Sequence, residues 1–189
     1  MKIFLVRHGE SEGNVIHEIN DNPRRMVNLT AKGRAQAEAA AEGFRTVHFT
    51  HAYASEFPRA RQTAAILLRN HPLDLHIDAR LNERRSGMDG LPVVVFSELV
   101  RDDPLRTKPE RGETFLEQME RLRSFLDEIS ARHPDGTALA VSHENPIVAA
   151  LALLADDPEQ VVRESVANCG WVELEWPCLQ PVPVIRQSS

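Results

Sequence analysis

The sequence predicts an α/β fold, a three-layer sandwich in which a mainly parallel central sheet is flanked by helices. Three observations carry that reading. Short apolar runs that suit buried strands alternate along the chain with stretches of helical periodicity, as in repeated strand–helix units. Two of these runs end on a histidine, at Arg7-His8 and at His143, and open parallel sheets bind ligands beyond the carboxyl ends of their strands. No clear linker and no internal repeat divides the chain. Residues 1–176 therefore read as one domain, and the Pro-rich tail, residues 177–189, is expected to be extended or disordered.

Lys2 to Val6 is mostly apolar and suits a buried strand. Thr30-Ala31-Lys32-Gly33 opens an Ala-rich helix that stops near Gly43. His48 to Ser55 reads as a second strand. Pro58 fits the first turn of a helix whose apolar spacing continues to about Arg69. Leu73 to Ile77 is a third candidate strand. The next segment, Arg84 to Arg111, is rich in Arg, Asp, Pro and Gly and reads as a mobile insertion. From about Thr114 to Arg132, Phe115, Met119, Leu122, Phe125, Leu126 and Ile129 fall on one face of a long amphipathic helix. Thr137 to Ser142 repeats the buried-strand pattern, an apolar helix follows from Pro146 to Leu154, and Gly170 to Trp176 alternates as a last strand.

Composition narrows the function. With 22 Lys+Arg against 28 Asp+Glu among 189 residues, the formal charge is −6, which argues against nucleic acid, since binding it rests on neutralised phosphates. An anionic small ligand then needs a local cluster of positive charge. The N-terminal apolar run breaks at Arg7, too short for a secretory signal, and the longest apolar stretches fall below the roughly 20 residues that span a bilayer. A cytoplasmic protein with no membrane partner is expected. Cys169 and Cys178 have no metal-type spacing and read as packing residues with reduced thiols. His48 and His51 read as strand residues, and no His/Asp/Glu spacing resembles a metal site, so neither metal nor cofactor is expected. Arg24-Arg25 and Arg84-Arg85 read first as solvated pairs.

The strongest local signal is Leu5-Val6-Arg7-His8-Gly9-Glu10-Ser11-Glu12-Gly13-Asn14. A strand end delivers Arg7 and His8, glycines allow close backbone approach, and a nearby helix start offers N–H donors suited to phosphate. Arg-His-Gly-Glu-Ser resembles the signature of the histidine phosphatase superfamily, also called phosphoglycerate-mutase-like, and three further segments agree in the family's order. Ser55-Glu56-Phe57-Pro58-Arg59-Ala60-Arg61-Gln62-Thr63-Ala64 resembles the second motif, whose arginine matches Arg59. Leu81-Asn82-Glu83, with Gly87 and Asp89-Gly90, resembles the segment of the acidic proton donor, which implies that role for Glu83; Asp89 and Glu113 are rival carboxylates. Val141-Ser142-His143 resembles the second histidine motif, and Leu29-Thr30 before Gly33 and Gly112-Glu113-Thr114 with Arg121 also fit. The resemblance runs from Lys2 to about Leu154 and implies the phosphoglycerate-mutase-like form of the predicted sandwich.

These residue types make sense together. Arg7 and Arg59 each offer a planar fork to phosphate oxygens. Asn14 adds a neutral donor, unless it serves only as a helix cap, and His143 adds another in the correct tautomer. His8 attacks phosphorus only when its attacking nitrogen is unprotonated, and its other nitrogen then needs an acceptor that the sequence does not name. Glu83 would protonate the leaving group and later take a proton from water, which requires burial to raise its pKa. Two departures stand out. Most members of the family it resembles carry Gly after the second histidine where this chain has Glu144, whose carboxylate is expected to turn away or to meet a cationic part of the substrate. The acidic motif Arg84-Arg85-Ser86-Gly87-Met88-Asp89-Gly90 has Asp where Glu is usual and lacks the preceding aromatic.

The expectation is a phosphomonoesterase of the histidine acid phosphatase type, hydrolysing a small phosphorylated metabolite through a phosphohistidine on His8. A phosphoglycerate-mutase-type phosphotransferase and a non-catalytic phospholigand-binding module are the alternatives. The physiological substrate and any homo-oligomeric state stay open; Val15 to Asn28 and Arg84 to Arg111 are the loops expected to set specificity.

Overall fold

Strands form where apolar residues crowd. Lys2–Arg7 (β1) and Thr137–Ser142 (β4) carry the chain's most continuous apolar strand patterns, and they lie side by side at the middle of one sheet. The computed structural model describes residues 1–177 and the backbone of 184–186. Among the described residues the sheet has six strands, completed by His51–Ala54 (β2), Leu75–Ile77 (β3), Trp171–Glu175 (β5) and Val184–Arg186 (β6), in the order β3-β2-β4-β1-β5-β6. β3, β2, β4 and β1 run parallel, whereas β5 and β6 are antiparallel additions at one edge. Parallel strands need helices on both faces, which explains why β1 and β4 have no polar face.

The helices are Glu12–Val15 (α1), Ala31–Phe44 (α2), Pro58–Leu67 (α3), Val93–Leu99 (α4), Phe115–Arg132 (α5), Glu144–Leu154 (α6) and Pro158–Val161 (α7), with a 3₁₀ turn at Ala79–Leu81. Alternate residues of the central strands feed two cores. Ile3 and Leu5 with Ala138 and Ala140 meet Leu122, Phe125 and Leu126 of α5 and Ile147 of α6. Phe4 and Val6 with Leu139 and Val141 meet Ala37, Ala40 and Phe44 of α2 and Ala60 and Ala64 of α3. This is the predicted three-layer sandwich. Each fully buried Leu or Phe contributes roughly 2 kcal/mol, so the two central strands tie both layers to one scaffold. α5 begins with a capping box, Thr114 accepting from the Glu117 N–H while Glu117 accepts from the Thr114 N–H.

Several expectations shift in detail. β2 and β3 are shorter than predicted, and α6 begins at Glu144, before Pro146, because proline is tolerated in a first helical turn. The stretch Arg84 to Arg111 contains α4 and buries Arg84, Ser86, Leu105 and Pro109. Arg84 is not a solvated cation: its guanidinium donates to the carbonyls of Glu113, Pro104 and Thr107 and lies over Phe96 and Phe115. One buried arginine thereby gathers a polar, turn-rich segment that composition marked as loose. Arg25 pairs with Glu18 and, at 3.7 Å, with Asp89. Cys169 is buried, and burial pushes its thiol up to about 12, in keeping with a packing role. Cys178 and most of the tail lie outside the described residues; of that tail, Val184–Arg186 joins the sheet as β6. No described helix is long and apolar enough to cross a membrane.

The loop after β1 is pressed against α2. A Cβ built on Gly33 would stand 2.0 Å from the Glu10 carbonyl oxygen, and one on Gly9 would stand 2.3 Å from the Gly33 oxygen. Gly→Ala in a helix interior ordinarily gains about 1 kcal/mol. Here the clash reverses the sign, so Gly33→Ala should lower the urea midpoint, with a loss of about 1–3 kcal/mol typical of overpacking. A raised midpoint would show that the two backbones are not in contact.

Candidate active site

Register places the two histidines together. Arg7 pairs with Ser142 across the parallel β1–β4 ladder, and the His8 N–H donates to the Ser142 carbonyl at 3.0 Å. The next residue of each strand is therefore a histidine on the same sheet rim, and the rings stand 5.0 Å apart, edge to face. Both are buried, at 3% exposure for His8 and 0% for His143. α3 supplies Arg59, itself only 4% exposed, in its first turn, with its guanidinium over the Phe57 ring at 4.4 Å.

Arg59 connects the cluster. Its Nε–H donates to His8 Nε2 at 3.0 Å, and Nη2 donates to His143 Nδ1 at 3.1 Å. Nη1 and Nη2 also donate to the side-chain and main-chain oxygens of Asn20, which leaves one Nη1–H. Because guanidinium only donates, each facing imidazole nitrogen must hold a lone pair. The other nitrogens then carry the protons. His8 Nδ1–H donates to the Gly9 carbonyl at 2.7 Å, and His143 Nε2–H donates to Ser55 Oγ at 2.7 Å. The acceptor that orients His8 is thus the carbonyl of its own neighbour. Burial first, then the charge of Arg59, holds both histidines well below their usual pKa, so both are neutral at pH 7. Burial also lowers Arg59, to about 10, which leaves it charged.

The loop is fastened from several sides. The Gly9 N–H donates to Thr63 Oγ1, which in turn donates to the Arg59 carbonyl, and Asn168 Nδ2 donates to the His8 carbonyl at 3.0 Å. Asn14 caps its own short helix: its Oδ1 accepts from the Ser11 N–H at 3.0 Å and Ser11 Oγ accepts from the Asn14 N–H. Its side chain lines the cleft as well, so the capping and ligand-facing readings coexist. Arg7 donates to the Val166 carbonyl and pairs with Glu144 through Nη2 at 3.1 Å, while its Nε is buried with no partner.

Glu83 reaches the same cleft from the segment after the 3₁₀ turn, and its two rivals do not. Glu113, 1% exposed, is held by Arg121 at 2.5 Å and Arg85 at 2.9 Å, and Asp89 accepts from Asn20 and from the N–H groups of Asp21 and Asn22. Burial raises the Glu83 carboxyl above its usual value against the opposing pull of the Arg84 N–H and the Arg59 charge. The segment is braced by Arg121, which donates to the carbonyls of Arg80 at 2.7 Å and Asn82 at 3.1 Å, and by Ser142 Oγ, which donates to the Leu81 carbonyl at 2.6 Å. Five of the six residues singled out from sequence, Arg7, His8, Asn14, Arg59 and Glu83, therefore line one cleft of about 300 Å³, and the sixth, His143, packs behind His8 and Arg59. Sequence reasoning missed Ser55, Thr63, Asn20 and Asn168. Ser55 and Thr63 sit inside the second motif, which is a signal of a kind; Asn20 and Asn168 are single loop residues with none. Among the described residues no three His, Cys, Asp or Glu side chains gather as a metal site would require.

A model of the histidine phosphatase superfamily (branch 1) matches residues 3–182. Curated relatives named "Probable phosphoglycerate mutase GpmB" include one from Enterobacter sp. (strain 638), 40% identical over 91 residues. That match spans 47% of this chain and 40% of the relative, so the aligned part is less than half of either. Another, from Proteus mirabilis, is 29% identical over 90% of this chain and 82% of its own length. Among solved structures, the alpha-ribazole phosphatase from Shigella flexneri superposes with TM-score 0.79 at 25% identity, covering 92% of this chain and 89% of that one. A mycobacterial glucosyl-3-phosphoglycerate phosphatase with VO3 superposes with TM-score 0.79 at 25% identity, covering 91% and 90%.

Neutral, buried histidines have a thermodynamic signature. Unfolded, each takes up a proton as pH falls through about 6.5; folded, each does so only at lower pH. Their contribution to stability is thus present above pH 6.5 and is lost on acidification, at up to about 1.4 kcal/mol per pH unit for each group. Denaturant unfolding between pH 7.5 and 5 should show this slope, and His143→Gln should flatten it by about one proton's worth. An equally steep slope in the variant would mean that His143 is protonated in the folded state.

Proposed function

This chain belongs to the histidine phosphatase superfamily, and we propose that it is a phosphomonoesterase, needing no metal, that hydrolyses a small phosphorylated metabolite through a phosphohistidine on His8. The observation that carries the reading is the state of His8: Nδ1–H is fixed on the Gly9 carbonyl, so the lone pair is at Nε2 in the cleft that Glu83 lines. There it accepts from Arg59 Nε–H, and attack requires that donor to turn to the phosphoryl oxygens.

In the first step Nε2 attacks phosphorus, a P–N bond forms, the ester P–O bond breaks, and the leaving oxygen takes the proton of Glu83. In the second, Glu83 as carboxylate removes a proton from water, the water oxygen attacks phosphorus, and the P–N bond breaks to release inorganic phosphate. Arg7 and Arg59 hold the phosphoryl oxygens as charge shifts between them, with Asn14 as a neutral donor. His143 supports this from behind by accepting from Arg59. The raised carboxyl of Glu83 suits an acid, and the depressed imidazole of His8 suits a nucleophile, so their environments push the two groups toward complementary roles.

The names of the curated relatives favour a second reading, a phosphoglycerate-mutase-type transfer between hydroxyls. Release of inorganic phosphate measured beside isomerisation of 3-phosphoglycerate separates the two.

Acid-labile phosphate should be trapped on the wild type after quenching with phosphorylated substrate and be absent from His8→Ala; a folded His8→Ala protein with undiminished turnover ends the proposal. Glu83→Gln should cost about 10²–10⁴-fold in kcat on an alkyl phosphate but far less on p-nitrophenyl phosphate, whose phenolate leaves without a proton. Equal losses on both would remove Glu83 from the donor role. Both assays belong in EDTA, where activity should persist. The pH profile of kcat/KM should fall on the acid side as His8 takes up a proton and on the alkaline side as Glu83 loses one.

A further inference from the structure

Glu144, the residue after the second histidine, does not turn out of the cleft. Its Oε2 is 3.1 Å from Arg7 Nη2, and its Oε1 accepts from Ser165 Oγ at 2.6 Å and from the Val166 N–H at 3.3 Å. A carboxylate is therefore fixed beside one of the two guanidinium groups that would grip phosphate. It is also near enough to Glu83 for its charge to raise that carboxyl.

The balance of charge follows. With both histidines neutral, Arg7 and Arg59 supply two positive charges, and Glu144 removes one. A phosphate monoester is nearly dianionic at pH 7, so phosphate on these groups leaves one negative charge without a partner in the cleft. The cleft has little with which to offset a further anion. No lysine lines it, and its third arginine, Arg84, already donates to three main-chain carbonyls. Beside His17 it holds two further carboxylates, Glu18 on Arg25 and Asp21 on Ser86 and Gly87. The rest of the wall toward α4 is apolar, with Val93 and Phe96. An ammonium on the leaving alcohol would restore the balance; a carboxylate there would worsen it.

We propose that Glu144 is a specificity-determining residue that selects phosphate monoesters whose leaving alcohol carries an ammonium group and disfavours those carrying a carboxylate. The inference rests on the phosphatase reading and extends it to a substrate class. Within reach of both Glu144 and the Glu83 side of the cleft, a cation two or three bonds from the ester oxygen meets a carboxylate already held in place by Ser165 and the Val166 N–H, so little reorganisation is needed.

The test uses three esters of matched size: 2-aminoethyl, 2-hydroxyethyl and carboxymethyl phosphate. In the wild type kcat/KM should fall in that order, with about tenfold or more between the ends. Glu144→Gln should shrink the amino-to-carboxy ratio by about tenfold, and Glu144→Gly, which also removes the side chain, should shrink it similarly. A ratio taken within one protein cancels any general loss from a disturbed Arg7. A wild-type ratio near or below one, or a ratio unchanged in both variants, overturns the inference. Turnover of p-nitrophenyl phosphate that depends on His8 keeps the two questions apart: if it persists while the ratio is flat, only the role of Glu144 falls. If no ester is hydrolysed, the phosphatase reading falls and this inference with it.

Discussion

The arrangement depends on a buried cation that can only donate. Arg59 is enclosed by His8, His143, Asn20 and Phe57, and no carboxylate touches it. Its enclosure is tolerable because each neighbour offers a lone pair or a π face. That requirement runs outward through the site. It demands neutral imidazoles, neutrality at a fixed nitrogen demands acceptors behind the rings, and those acceptors are the Gly9 carbonyl and Ser55 Oγ. The tautomer of His8 is thereby defined by a chain of hydrogen bonds that starts on α3 and ends on the loop after β1. The sheet contributes only position, by setting Arg7 opposite Ser142.

How much of this was legible depends on where each group sits. Arg7, His8 and His143 were visible because they end apolar runs, and the parallel-sheet rule sends such residues to a common rim. Arg59 and Glu83 lie on a helix start and in a turn, where composition is silent, and only their resemblance to a known motif singled them out. The orienting acceptor of His8 is a main-chain carbonyl, which no residue identity encodes. Arg84 was misleading for the opposite reason. An Arg-Arg pair in a turn-rich segment looks solvated, yet one of the two is buried by three carbonyls that the chain brings back from 20 to 29 residues downstream.

Glu144 shows how one residue changes the charge of a cleft without disturbing the hydrogen bonds of His8 and His143. It opens α6, as an acidic residue in a first turn commonly does, so local helix physics tolerates it. Its cost lies in the cleft, where it engages Arg7. His8 and its Gly9 acceptor stand apart from that contact, whereas Glu83 lies close enough to feel its charge. A family whose members differ in substrate can alter the charge of a cleft while the paired histidines and Arg59 keep their hydrogen bonds.

The two segments expected to govern specificity are one piece of structure. Ile19 donates through its N–H to the Leu91 carbonyl, Gly90 donates to the Ile19 carbonyl, and Val93 donates to the His17 carbonyl. Asp21 accepts from the N–H groups of Ser86 and Gly87 and from the Ser86 hydroxyl. Two loops some seventy residues apart in the chain are thus stitched into a single ribbon at the mouth of the cleft. Grafting one of them from a relative would strand the bonding groups of the other, so in evolution as in the laboratory they form a cassette that has to be exchanged whole.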